Sequence, residues 1–293
     1  MPWKSLQVPI VSNPTAIRLR MGTLLARACS IARPSRNSPR RILFLHVPKT
    51  GGVTVEQYLA CCLGGKRGRQ RCKLNEIYIN QPPNDREIDS ARASRFVFGH
   101  FSWASIERIG LRKDDYIFTF LREPRRRLYS AYRFMVNYPE DRLLDSAKKS
   151  RIERCRGITQ LDMFTTRDLD LRYTIDNYMV RQLSGRLTDY PVQESQWPVL
   201  LEAAKRNLRS LNFIGFQETY EVDFKTVLHQ LNMPCLSAIP RKNTIDEIIK
   251  RAGRDSTVHP EDPSEVAAAM TPLVRWDEQL YEYARQLRPN GTH

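Results

Sequence analysis

Nowhere in the 293 residues is there an apolar run of the about 18 residues that a membrane-spanning helix needs. The nearest approach, Ala16 to Ala32, is broken by Arg18, Arg20 and Arg27, so no spanning helix is expected. Cysteine is sparse. Cys29, Cys61, Cys62, Cys72, Cys155 and Cys235 form neither C-x-x-C pairs nor Cys/His clusters at zinc spacing, and they read as free thiols. That usage favours a reducing compartment such as the cytoplasm, with disulfides in a secreted relative as the alternative. No zinc-finger spacing, RNP-like string or basic zipper occurs, so the net charge of +15 does not by itself indicate a nucleic-acid partner. A Walker string, G-x-x-x-x-G-K-[ST], is also missing.

Acidic residues are absent from the first 41 positions, which carry Lys4, Arg18, Arg20, Arg27, Arg33, Arg36, Arg40 and Arg41. This arm therefore holds more than half of the +15, and the body is only moderately basic. Residues 1–40 read as a basic, poorly ordered N-terminal arm. Their Arg-rich, acid-free and amphipathic character makes an organelle transit peptide the minority reading. The remainder, 41–290, has the ordinary composition of a soluble domain, 41% hydrophobic and 27% charged over the chain, and is long enough to bury a full core.

The body is organised around Arg41 to Thr54, RILFLHVPKTGGVT. An apolar run of strand length, a Pro, a Lys, paired glycines and two threonines precede a helical pattern that starts at Val53. Together they spell strand, anion-cradling loop and helix. Glycine lets backbone N–H groups approach oxyanions closely, and a helix start adds unpaired amides and a positive dipole end. Lys49 precedes Gly51 and Gly52, the reverse of the Walker order. A second strand, Arg95 to Phe101, delivers His100 at its tip, where parallel α/β sheets bind their ligands. A third, Tyr116 to Leu121, is apolar throughout, as in a sheet covered on both faces. It runs into Arg122-Glu123-Pro124, with Pro124 opening a helix that continues to Tyr138. Arg122 at the strand tip and Ser130 on that helix can donate to one anion.

Lys66 to Lys73 reads as a basic surface loop, Gln81 to Asp85 as a turn, and Gly64-Gly65 as the stop of the first helix. Further helices are predicted over Asp176 to Gly185, Trp197 to Leu208, Thr219 to Leu231 with Thr219 as cap, and Pro272 to Leu287. Phe213 to Phe216 is a further short strand. Pro240 to Thr244 is a basic loop, either surface turn or nucleotide lid. Alternating strands and helices predict an α/β fold: a three-layer, P-loop-like domain whose central, mostly parallel sheet is flanked by helices.

These motifs carry a family likeness. His46 to Gly52 resembles the 5′-phosphosulfate loop of sulfotransferases, and Arg122-Glu123-Pro124-x-x-Arg127-x-x-Ser130-x-Tyr132 resembles their 3′-phosphate motif. Phe98 to Ser102 is similar to the segment that supplies the catalytic base in glycan 2-O-sulfotransferases. The resemblance implies an enzyme that moves a sulfuryl group from 3′-phosphoadenosine 5′-phosphosulfate (PAPS) to an acceptor hydroxyl on a carbohydrate, and the lack of the N-terminal membrane anchor that Golgi relatives carry makes a soluble, bacterial-type enzyme the expectation. The reaction leaves adenosine 3′,5′-bisphosphate as product and needs no metal. The resemblance further implies that Lys49, Thr50, Gly51, Gly52, Val53 and Thr54 hold the 5′-phosphate, with Lys49 on the bridging oxygen. Arg122 and Ser130 would grip the 3′-phosphate, and His100 would be the general base. Val53 departs from relatives that carry Thr there, which removes one hydroxyl. Glu56 and Glu123 are alternative bases that sit beside anion sites, and Arg181 and Arg241 are weaker candidates for substrate contacts. Two other readings stand beside this one: an ATP-dependent phosphotransferase, which predicts metal dependence, and a non-catalytic polyanion-binding protein resting on the +15 charge. None of these motifs distinguishes one acceptor from another.

Overall fold

The computed structural model describes residue 39 and residues 41–288, apart from 64–70, 77–80, 140–145, 237, 240–243, 254, 256 and 258–260. The arm before residue 39, the Gly64-Gly65 stop, Cys29 and Arg241 fall outside the described residues. Five strands, β1 (Arg41–Leu45), β2 (Arg71–Asn75), β3 (Phe96–His100), β4 (Asp115–Leu121) and β5 (Phe213–Phe216), form one sheet in the order β2-β3-β1-β4-β5. Every pairing is parallel, with Ile42 opposite both Phe96 and Tyr116. The predicted α/β class with a parallel sheet is therefore what the chain adopts.

Strand periodicity divides the core in two. Leu43, Leu45, Val97, Ile117 and Leu121 face one side, while Ile42, Phe44, Phe96, Phe118 and Phe120 face the other. The Phe face is covered by α1 (Gly52–Leu63) through Val55, Tyr58 and Leu59. Across the sheet lie α2 (Asp85–Ala93) and α3 (Trp103–Ile109), with Ile88, Ala91, Trp103 and Ile106 in the first core. Each fully buried Phe or Leu contributes roughly 1.5–3 kcal/mol, so strands buried on both faces supply much of the stability. At the sheet's start Arg41 is fully buried, and it is tolerated there because its Nε donates to Asp115 Oδ1 at 2.9 Å.

Beyond β4 comes α4 (Pro124–Val136), where Glu123 caps the first turn by accepting from the Arg125 and Arg126 amides. Four helices follow: α5 (Ser146–Arg154), α6 (Gln160–Thr165), α7 (Leu169–Ile175) and α8 (Tyr178–Ser184). Then come α9 (Trp197–Arg209), α10 (Tyr220–Gln230), α11 (Ile245–Ala252) and α12 (Pro263–Gln286). Of these, α10 joins α1 on the Phe face, whereas α8, α9 and the C-terminal half of α12 cover the other. The helices α4 to α7 and the first half of α12 enclose a third core around Leu128, Tyr132, Phe164 and Leu273.

Several expectations are corrected. Residues 71–73, read as loop, belong to edge strand β2; only Leu74 of it is buried, so its sequence carries no apolar alternation. The turn around Asp85 leads at once into α2, fixed by an Asn84–Glu87 capping box. The helix read from Asp176 begins two residues later, because Asn177 is left-handed at φ 39°. Thr219 sits at the α10 cap position, but its hydroxyl donates to Asp223 and accepts from no amide of the first turn. The last helix begins at Pro263 and passes through Pro272. A proline inside a helix removes an amide and crowds the preceding turn. Asn177 secures the turn that follows the proline: its backbone N–H donates to Leu273 O, its side-chain Nδ2 donates to Pro272 O, and its Oδ1 accepts from Trp276 N at 2.8 Å. Cys61, Cys62, Cys72, Cys155 and Cys235 are free thiols, as read.

Candidate active site

Parallel pairing places the C-terminal tips of β1, β3 and β4 side by side, so the residues that follow each strand meet at one edge of the sheet. A cavity of about 610 Å³ opens there, within the usual range for small-ligand sites. Lys49, Gly51, Gly52, Val53, Thr54, His100, Arg122 and Ser130 all line it. Thr50 does not. Its side chain is fully buried and its hydroxyl donates to Val47 O at 2.7 Å, so it braces the loop from behind.

The loop after β1 is held in an uncommon shape. Lys49 has φ 72°, a left-handed conformation that disfavours a side-chain-bearing residue by about 1–2 kcal/mol. Arg122 offsets this by donating Nη1–H to Lys49 O at 3.2 Å, which ties the loop after β1 to the tip of β4. Gly52 opens α1 where no side chain fits: a Cβ there would stand 2.3 Å from the His46 ring. The first amides of a helix have no partners within it, so α1 points donors and a positive dipole end at this loop. Lys49 Nζ lies 3.8 Å from the Phe134 ring centroid. Burial, and then the Arg122 charge, bring the Lys49 ammonium down to about 7.

His100 ends β3, and its Nδ1 donates to the His46 carbonyl at 2.9 Å. A carbonyl can only accept, so the neutral ring carries its proton at Nδ1 and its lone pair at Nε2. Half-buried in the cavity wall, His100 is lowered to about 3 by desolvation first and then by His46. Neutral imidazole is therefore the form present at physiological pH. The His46 carbonyl also accepts from Gln182 Nε2 at 3.2 Å, which locks α8 under the site.

Glu56 accepts from His46 Nδ1 at 2.7 Å and stands 3.6 Å from Lys73. Burial alone would raise its carboxyl, but the His46 hydrogen bond, with the Lys73 charge beside it, holds it below the ordinary value. Glu123 is committed to capping α4 and does not line the cavity. Arg181, expected as a candidate contact, is fully buried and donates Nε–H to Asp176 O and Nη1–H to Leu187 O, with a further bond to Tyr173 O. It pins the turns around α8 and faces no substrate.

The sulfotransferase family profile matches residues 36–286, most of the chain. The chain belongs to the sulfotransferase family. Among its relatives is heparan-sulfate 6-O-sulfotransferase 2 of Danio rerio, 24% identical over 84% of this chain. The chain spans 57% of that relative's length. Of the residues named from the sequence, Lys49, Gly51, Gly52, Val53, Thr54, His100, Arg122 and Ser130 come together at the cavity. The sequence did not assign roles to His46, Gln182, Phe134 or Tyr220, whose hydroxyl donates to Gly51 O at 3.2 Å. His46 was legible as a polar residue ending an apolar strand just before the loop. The other three come from distant segments, and no local pattern marks them.

Proposed function

We propose that the protein transfers a sulfuryl group from PAPS to a carbohydrate hydroxyl. Convergence of Lys49, His100, Arg122 and Ser130 on one cavity carries this reading, together with family membership. In it the donor's 5′-phosphosulfate lies against the Lys49 to Thr54 loop and the α1 start, and its 3′-phosphate against Arg122 and Ser130. His100 Nε2 takes the proton of the attacking hydroxyl as the acceptor oxygen bonds to sulfur. The bond from sulfur to the nucleotide's phosphate oxygen breaks, and its electron pair stays on that oxygen. Charged Lys49 neutralises the oxygen, the kind of preorganised electrostatic help that dominates such transfers. A positioned base is worth roughly 10²–10⁴-fold. A carbohydrate acceptor is supported by the heparan-sulfate enzyme among the relatives.

Incubation of the full chain with labelled PAPS and heparan sulfate tests the reading. Label is expected in the polysaccharide, undiminished by EDTA, and adenosine 3′,5′-bisphosphate is expected to raise the melting temperature. Transfer from ATP with metal dependence, or polyanion binding with no shift from the bisphosphate, would replace it with one of the rival readings.

A further inference from the structure

The donor reading employs Lys49, Arg122, Ser130 and His100, and leaves a second imidazole and a buried carboxylate beside them without a task. His46 is 3% exposed and Glu56 8%, and both line the cavity. A carboxylate this deep is tolerated only when paired and hydrogen-bonded, and His46 with Lys73 meets that need. Since an ionised carboxylate only accepts, His46 Nδ1 carries the proton it donates to Glu56. The His46 ring is then clamped. It stacks on Phe44 with ring centroids 5.2 Å apart, presses its Cδ2 and Nε2 edge on Gly52, and lies 4.3 Å from the His100 ring at 42°.

We propose that Glu56 and His46 are positioning residues for the base. The His46 carbonyl holds His100 with its proton on Nδ1 and its lone pair on Nε2, Glu56 clamps the His46 ring and so the residue that carries that carbonyl, and the Glu56 carboxylate offsets the positive charge that His100 gains on taking the acceptor's proton. The inference rests on the sulfuryl-transfer reading above. In that step the acceptor's O–H bond breaks and the proton bonds to His100 Nε2, while Nδ1–H continues to donate to the His46 carbonyl.

Among the described residues, the charged and titratable groups that act on His100 include His46 at the end of β1, Glu56 on α1 and Lys73 on β2. Of these, Lys73 and His46 oppose a charged His100, and Glu56 favours it. Glu76, next along the chain from β2, is occupied by Ser102 and Ser105, whose hydroxyls donate to its Oε1. Glu56 is thus the carboxylate placed to share the developing charge, reaching it through the one imidazole that touches both. A base desolvated as His100 is needs such a counter-charge, because burial otherwise penalises its protonated form.

Glu56→Gln keeps the side chain's shape and an acceptor oxygen while removing the charge. With labelled PAPS and heparan sulfate, kcat is expected to fall about tenfold or more, since the lost attraction acts only on the charged form. The affinity for adenosine 3′,5′-bisphosphate is expected to stay within about twofold, and Glu56→Asp to recover part of kcat. Unchanged kcat in Glu56→Gln, or an equal loss of bisphosphate affinity, would overturn the proposal. A second measurement needs no variant: nitrogen NMR of the histidine-labelled wild-type chain with bisphosphate bound at neutral pH. His100 protonated at Nδ1 and bare at Nε2 is the expected result, and the reverse tautomer would overturn the proposal even if the variants fail to fold. Absence of bisphosphate binding by the wild-type chain would instead overturn the sulfuryl-transfer reading, and the positioning role with it.

Discussion

Binding of adenosine 3′,5′-bisphosphate is expected to draw a proton onto Lys49. Without ligand the ammonium is desolvated against Phe134 and repelled by Arg122, and it loses its proton at about 7, against an ordinary 10.5. A bound phosphate supplies the missing counter-charge and returns it towards the ordinary value. The ligand-free site is then half-charged at pH 7 and almost wholly neutral at pH 9. The first unit above 7 consequently lowers affinity about fivefold and the second about ninefold, so the span from pH 7 to 9 lowers it about fifty-fold, roughly 2.3 kcal/mol. Lys49 keeps part of its surface open to the cavity, so solvent screening makes that figure a ceiling. The sign for folding follows from the same shift. Between about 7 and 10.5 the unfolded chain binds more protons at this lysine, so ligand-free stability rises with pH across that window. Calorimetry in two buffers of different ionisation enthalpy measures the proton count directly: about half a proton taken up at pH 7 and close to one at pH 8.5. Lys49→Arg, which stays charged throughout, is expected to abolish the slope. Flat affinity from pH 7 to 9 with no proton uptake in the wild type would refute the reasoning.

His100→Ala is expected to keep bisphosphate affinity within about threefold while transfer falls by roughly 10²–10⁴-fold, measured with labelled donor. Arg122→Ala is expected to lose affinity first, by about 1.5–3 kcal/mol for charge-assisted hydrogen bonds, and to loosen the loop it ties through Lys49 O. Gly52→Ala places a methyl 2.3 Å from the His46 ring, so a loss of about 1–3 kcal/mol in urea unfolding and a drop in transfer are expected together. Asn177→Ala removes both the acceptor for Trp276 N and the donor to Pro272 O in a buried setting. It is expected to destabilise by roughly 2–4 kcal/mol in the same assay, with bisphosphate affinity near the wild-type value.

Local chemistry wrote some of this plainly. Strands buried on both faces must be apolar throughout, so β1, β3 and β4 were readable to within a residue or so. A loop that approaches an oxyanion must carry glycine, so Gly51 and Gly52 marked themselves, and Lys49, His100 and Arg122 followed from their places at strand tips. Edge strand β2 was not readable, because with one buried side chain it lacks the alternation that identifies a strand. Helix α12 could not be traced through Pro272 either, since a proline reads locally as a helix start, and the Asn177 bonds that hold the turn after it come from far away in the chain.

The sequence by itself determined the parallel α/β class and the strand-tip residues that gather at one cavity, Lys49, Gly51, Gly52, His100 and Arg122 among them, because backbone geometry and burial impose those residue types at short range. Only the tertiary structure decided that Thr50 turns inward, that Arg181 is a buried brace away from the cavity, and that Glu56 meets His46 as well as Lys73. Those outcomes depend on which strand tips and helix faces become neighbours, and that follows from how the sheet pairs and the helices pack over it, not from any one segment.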